Sequence, residues 1–167
     1  MKAFYMKDQK HFMNRLLKSD LFDHFLLAEA SVHGAVSYQI DGHINRDFYD
    51  TDELAELTEA GSEYLPFFHL RPILFELIRG KHTPLYFKFV FLLSPSNAEK
   101  TIRSSDTGFS PDDISGIFLN LTFRDGQMIL TTGVSYRTFT TDHSFDVAWD
   151  TFAARFLTSH GLDFDIC

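Results

Sequence analysis

Between positions 71 and 88 stand Arg71, Lys81, His82 and Lys88, four side chains that could share one anion. An anion pocket needs several donors converging, and a sequence can only nominate them. The stretch around them reads IRGKHTPLYFKFVF, Ile78–Phe91. Its Gly80-Lys81, with Thr83 close behind, raises the question of a phosphate-binding loop. Such a loop runs strand, then G-x-x-x-x-G-K-[ST], then helix. Here Phe75 stands five residues before Gly80, His82 follows Lys81, and the order is helix then strand. Gly80 therefore reads as the residue that ends a helix. Arg79 and Lys81 sit at the negative end of that helix, and Pro84 enters a strand.

Other chemistries find less support. Eight His invite a metal reading, with His33 and Asp41-x-His43 nearest to one. A metal site needs three or four converging ligands. No H-x-x-x-H or H-E-x-x-H occurs, so no metal is expected. There is no G-x-S-x-G, and the single Cys, Cys167, is the last residue. The pairs Asp52-Glu53 and Asp112-Asp113 suit helix N-termini, where acids oppose the helix dipole. No G-x-G-x-x-G occurs, and no cofactor is expected. A basic helix for a DNA groove and an aromatic RNP-type motif are both missing. The formal charge of −8 also argues against nucleic acid, whose affinity rests on neutralised phosphates.

That charge is unevenly spread. Residues 41–63 carry eight acids against one base, and residues 71–103 carry six bases against two acids. Segregation of this kind can mark an anion site on an acidic body, or simply two solvated surfaces. Phe is in surplus, at 19 of 167 residues. It implies either a Phe-packed core or an aromatic patch for a partner. No apolar run approaches the ~20 residues that cross a bilayer, and the N-terminus lacks the apolar core of a signal peptide. One Cys is compatible with a reducing compartment. The expectation is a cytoplasmic protein with no membrane association.

The elements that must position these residues follow from period and punctuation. Asp8–Lys18 reads as a capped helix with Phe12, Met13, Leu16 and Leu17 on one stripe. Leu26–Ile40 alternates without losing phase at Gly34, which predicts one long strand bent there. A three-residue loop with Gly42 at positive φ would then pair Tyr38 with Ile44 and set Gly34 opposite Phe48. Asp50–Ala60 is an acidic helix. The next helix has Pro72 in its first turn and runs to Arg79. Leu85–Leu93 is a strand that is apolar on both faces, with Lys88 partly covered. Ser94-Pro95 opens a helix to about Arg103, and Ser110–Asp113 opens a shorter one.

Ile117–Arg124 and Gln127–Thr132 form a hairpin about Asp125-Gly126, pairing Phe123 with Met128 and Leu121 with Leu130. Gly133 should kink its second arm, which resumes as Val134–Phe139. Ser144 caps a last helix that buries Trp149, Phe152, Ala153, Phe156 and Leu157. A short strand at Leu162–Ile166 closes the chain. The fold class is α+β: one domain over residues 1–167, a mainly antiparallel sheet of about six strands, and helices packed on one face.

The segments IDGHINRDFY (Ile40–Tyr49) and RPILFELIRGKHTPLYFKFVFLL (Arg71–Leu93), with Trp149 in the last helix, resemble a family of small proteins from Gram-positive gut-type bacteria, a domain of unknown function. The resemblance implies a stand-alone bacterial cytosolic protein. It brings no activity and no catalytic residues. Two functional readings stand side by side. The first is a non-catalytic binding or interaction module, warranted by the Phe surplus and the missing catalytic motifs. The second is an enzyme or small-molecule-binding protein with an anion pocket near Arg71, Lys81, His82 and Lys88. A homodimer is expected, because helices on one side would leave the Tyr86/Val90/Leu92 face, or the Phe25/Leu27 end, for a second copy.

Overall fold

A computed structural model describes residues 1–167. In chain order the elements are β1 (Ala3–Met6), α1 (Gln9–Leu17), β2 (Leu26–His33), β3 (Ser37–Asp41), α2 (Thr51–Leu57), α3 (Phe67–Ile78), β4 (Tyr86–Leu92), α4 (Pro95–Ser104), β5 (Ile114–Arg124), β6 (Gln127–Tyr136), α5 (Ser144–Ser159) and β7 (Phe164–Ile166). Single 3-10 turns at Arg46–Phe48 and Pro111–Asp113 lead into α2 and β5. The seven strands form one antiparallel sheet in the order β3-β2-β4-β5-β6-β1-β7. This is the α+β arrangement that the element order implies.

The strand alternation decides where the core lies. Phe87, Phe89 and Phe91 on β4 are at most 2% exposed, whereas Tyr86, Lys88, Val90 and Leu92 are half-buried. Leu119, Leu121 and Phe123 continue the buried face across β5, and Met128 and Leu130 across β6. Helices α1, α3 and α5 pack on this side. Phe22, just after α1, meets Phe12, Phe91 and Phe156, and Phe67 of α3 meets Phe89 and Phe91. Eight Phe rings are among the largest fully buried side chains. Each contributes roughly 1.5–3 kcal/mol by leaving water, so the Phe surplus is chiefly core. Trp149 fixes α5 by donating its indole N–H to the Phe118 carbonyl at 2.9 Å.

The Asp125-Gly126 hairpin has the expected register, with Phe123 opposite Met128 and Leu119 opposite Thr132. Asp125 and Gly126 both have positive φ (52° and 75°), as a two-residue turn of matching twist requires. The kink expected at Gly133 is absent: Gly133 lies within an unbroken β6 that runs on to Tyr136, opposite Phe118.

Three further expectations are corrected. The long strand Leu26–Ile40 is a hairpin, β2 and β3, turning at residues 34–36. Val32 pairs with Tyr38 and Ala30 with Ile40. Paired residues share a face, so an odd-length loop keeps even positions with even ones. Unbroken phase therefore does not exclude a turn. Gly42, in turn, does not have positive φ and does not sit in a hairpin loop. It lies against β2, where an added Cβ would stand 1.7 Å from the Leu27 carbonyl oxygen. Its N–H donates to Ala28 at 2.9 Å, and its carbonyl accepts from Leu65 at 3.1 Å. The chain then pairs His43 with Tyr64 rather than Ile44 with Tyr38, and Phe48 is left 79% exposed. Pro72 is inside α3, which begins at Phe67 after Pro66, and not in its first turn. It takes one N–H out of that helix.

Candidate ligand groove

The four nominated residues do not meet. Arg71 is engaged within the fold: its Nε and a terminal nitrogen donate to both oxygens of Asp23 at 2.8 and 3.0 Å. Asp23 is 5% exposed, so the pair locks α3 to the segment between α1 and β2. Lys81 and His82 are exposed in the connection from α3 to β4. Lys88 alternates with Phe87 and Phe89 and so projects from the far side of the sheet. None of the four lines any of the larger cavities.

A different constellation forms beside Arg79. The first wall is α1. The Asp8 carboxylate accepts the His11 N–H at 2.9 Å, which sets where the helix starts. Phe12, Leu16 and Leu17 then face the core. Lys10, Asn14 and Lys18 recur every four residues and share the neighbouring edge. The second wall is the end of α3, with Phe75 and Ile78, before Gly80 breaks the helix at φ 136°. The floor is the sheet itself, through Phe87 of β4, Phe123 of β5 and Met128 of β6. The Phe87 and Phe123 rings stack at 5.1 Å and 13°. Gln9 donates its side-chain amide to the Gly126 carbonyl at 2.6 Å, tying the start of α1 to the tip of the β5–β6 hairpin.

The resulting groove encloses about 400 Å³, within the usual range for small-molecule sites. Its rim is positive. Lys10, Lys18 and Arg79 are among its fifteen lining residues, and no carboxylate is. Lys18 Nζ and the Arg79 guanidinium each lie 6.0 Å from the Phe75 ring centroid, so two cations bracket one ring. Glu76 pairs with Arg79 at 2.8 Å from outside the lining and offsets part of that charge. The other sizeable cavities differ. A cleft of about 540 Å³ beside α4 has Glu63 and Glu99 against Arg137. The remaining two carry Glu29 and Asp41, and Glu56 and Glu59. In a chain of charge −8, the α1–α3 groove is the one of these four with cations alone on its lining.

Residues 15–165 match the model of a family whose function is not known. The chain belongs to the family of unknown function DUF5721. No curated protein and no solved structure matches it significantly. The DUF5721 match takes in β2 to β7 and α2 to α5, and leaves out β1 and all but the last three residues of α1. It names no residue and no chemistry, so the geometry carries the functional argument.

Lys10 and Lys18 were outside the nominated set. Their signal was present in the four-residue spacing of α1. What the sequence did not show was that α1 lies against α3, which brings Lys18 and Arg79 to the same ring. No group of three or more His, Cys, Asp or Glu side chains is placed to hold a metal. No helix is long and apolar enough to cross a membrane.

Proposed function

We propose that this chain is a non-catalytic binding module whose ligand is a small amphipathic anion held between α1 and α3. The carrying observation is the pairing of an apolar floor with a rim of three cations and no acid, on a molecule that is acidic overall. An apolar body would rest on Phe87, Phe123 and Met128. A carboxylate or sulfonate would lie among Lys10, Lys18 and Arg79. Binding then combines area removed from water with charge-assisted contacts at one end. The cytosol of a bacterium is the setting the family resemblance supports, and one Cys suits a reducing compartment.

Calorimetric titration with decanoate, decanol and decylamine tests the reading. Decanoate should bind most tightly and decylamine least. Lys18→Ala should weaken decanoate severalfold and leave decanol unchanged. Equal affinity for all three, or none for decanoate, would overturn it.

A homodimer is a second reading, favoured by the arrangement of layers. The Phe25 and Leu27 end is already buried beneath the helices. Helices α1, α3 and α5 take the Phe89 side, which leaves Val90, Leu92 and Phe118 on the other face for a second copy.

A further inference from the structure

The side of the sheet away from α1, α3 and α5 carries its own cluster of charge. Register places His33, Tyr86 and Arg124 in one row across β2, β4 and β5. Ser31, Lys88 and Thr122 form the next row. Side chains two residues apart on a strand share a face, so all six point the same way. The Arg124 guanidinium carbon lies 5.0 Å from the Tyr86 ring centroid. The His33 ring stands 5.0 Å from the same ring on the other strand.

Three features make this more than a solvated face. Neither Lys88 nor Arg124 takes part in any ion pair of the structure, so both charges are unanswered. No acid occupies either row on these three strands. Glu29 and Val90 form the row beyond, and Asp125 is in the turn after Arg124. Ser31, a polar side chain, is 6% exposed on this same face. A guanidinium held over a ring through its carbon can still offer N–H groups in the fork that suits two oxygens of one group. Lys88 supplies a point charge one row away. The diagonal separation on adjacent strands is about 7–8 Å, within reach of two long side chains.

We propose that this surface is a phosphoryl-binding site, distinct from the α1–α3 groove. Arg124 takes two phosphate oxygens, Lys88 neutralises the third, and the Ser31 and Thr122 hydroxyls donate from the floor. Its ligand is the terminal phosphate of a small molecule. The same group occurs in free phosphate and along a nucleic-acid strand, and the test separates these sources. The proposal does not depend on the groove, which lies on the opposite face.

The full chain, labelled with ¹⁵N, would be titrated at constant ionic strength with inorganic phosphate, phenyl phosphate and a single-stranded oligothymidylate. Phenyl phosphate should shift the amides of Ser31, Lys88, Thr122 and Arg124 at least as strongly as free phosphate. Arg124→Gln and Lys88→Gln should each weaken it about tenfold. Both positions are at the surface, so the unshifted remainder of each spectrum reports that the variant is folded. Arg124→Lys should recover only part of the loss, since Lys lacks the fork. Shifts elsewhere, no shifts, or unchanged affinity in both Gln variants would overturn the site. Tighter binding of the oligothymidylate than of phenyl phosphate would overturn the small-molecule assignment.

Discussion

At the scale of single residues, Gly42 and Asp23 are the positions where one change should cost most. Any Cβ at Gly42 collides with the backbone of Leu27, and backbone cannot swing aside as a side-chain tip can. Gly42→Ala should therefore cost more than Gly126→Ala, even though Gly126 is the one with positive φ. The latter has open space around its Cα, so its cost is the left-handed strain alone, about 1–2 kcal/mol. Urea unfolding of both variants checks the order, and equal losses would show that Leu27 yields. Asp23→Ala leaves the Arg71 guanidinium, itself only 22% exposed as a side chain, without its partner. A loss of about 3 kcal/mol is expected by the same measurement, because an unpaired buried charge is costly. Sequence alone does not show that Arg71 is engaged, since its partner Asp23 is 48 positions away.

Elements differ in how far the sequence revealed them, and the reason is range. The β5–β6 hairpin was readable residue by residue because a two-residue turn couples register to neighbours along the chain. β2 and β3 merged into one strand because their three-residue loop preserves parity. β1 gives no signal in the sequence: Ala3–Met6 has four residues, too few for a period to show, and it is held between β6 and β7. Asp8 caps α1 and Ser94 caps α4 as their types imply, but Ser144 does not cap α5, whose N-cap is His143 without a side-chain bond, and α3 starts after Pro66 with no side-chain cap. Asp50 and Glu53 form a reciprocal capping box on α2. Glu59 then reaches α4, accepting the Ser96 N–H at 2.9 Å. Burial pushes the Glu59 carboxyl up, yet the hydrogen bonds from Ser96 and Ser94 and the charge of Lys100 prevail, and its pKa falls below the usual 4.5. The sign follows: a depressed folded-state pKa adds stability above the unfolded value, and this is lost as pH drops through the folded value. Exchange of the Ser96 amide should accelerate below about pH 4.5, relative to base-line chemistry, and Glu59→Gln should remove that pH dependence. An identical profile in wild type and variant would refute the tether.

For the whole molecule, the decisive fact is the asymmetry of its two faces. One side of the sheet is sealed by α1, α3 and α5. The other leaves Val90, Leu92 and Phe118 half-buried beside the polar row of Ser31, Lys88 and Thr122. A two-fold pairing through the apolar half buries the first group and keeps the cationic half accessible. Light scattering at micromolar concentration should then report twice the 19.3 kDa of one chain. A single species at one chain mass would exclude the dimer and leave the groove reading untouched. That reading depends on a relation no local stretch displays: α1 and α3 converge over β4–β6 and bring cations from distant positions to one apolar floor. Its most direct test is the position of a bound chain. With decanoate present, nuclear Overhauser contacts should run from its methylenes to the methyl groups of Met13 and Met128 and to the Phe87 ring. Contacts confined to other surfaces, or none at saturating decanoate, would contradict the groove as the ligand site.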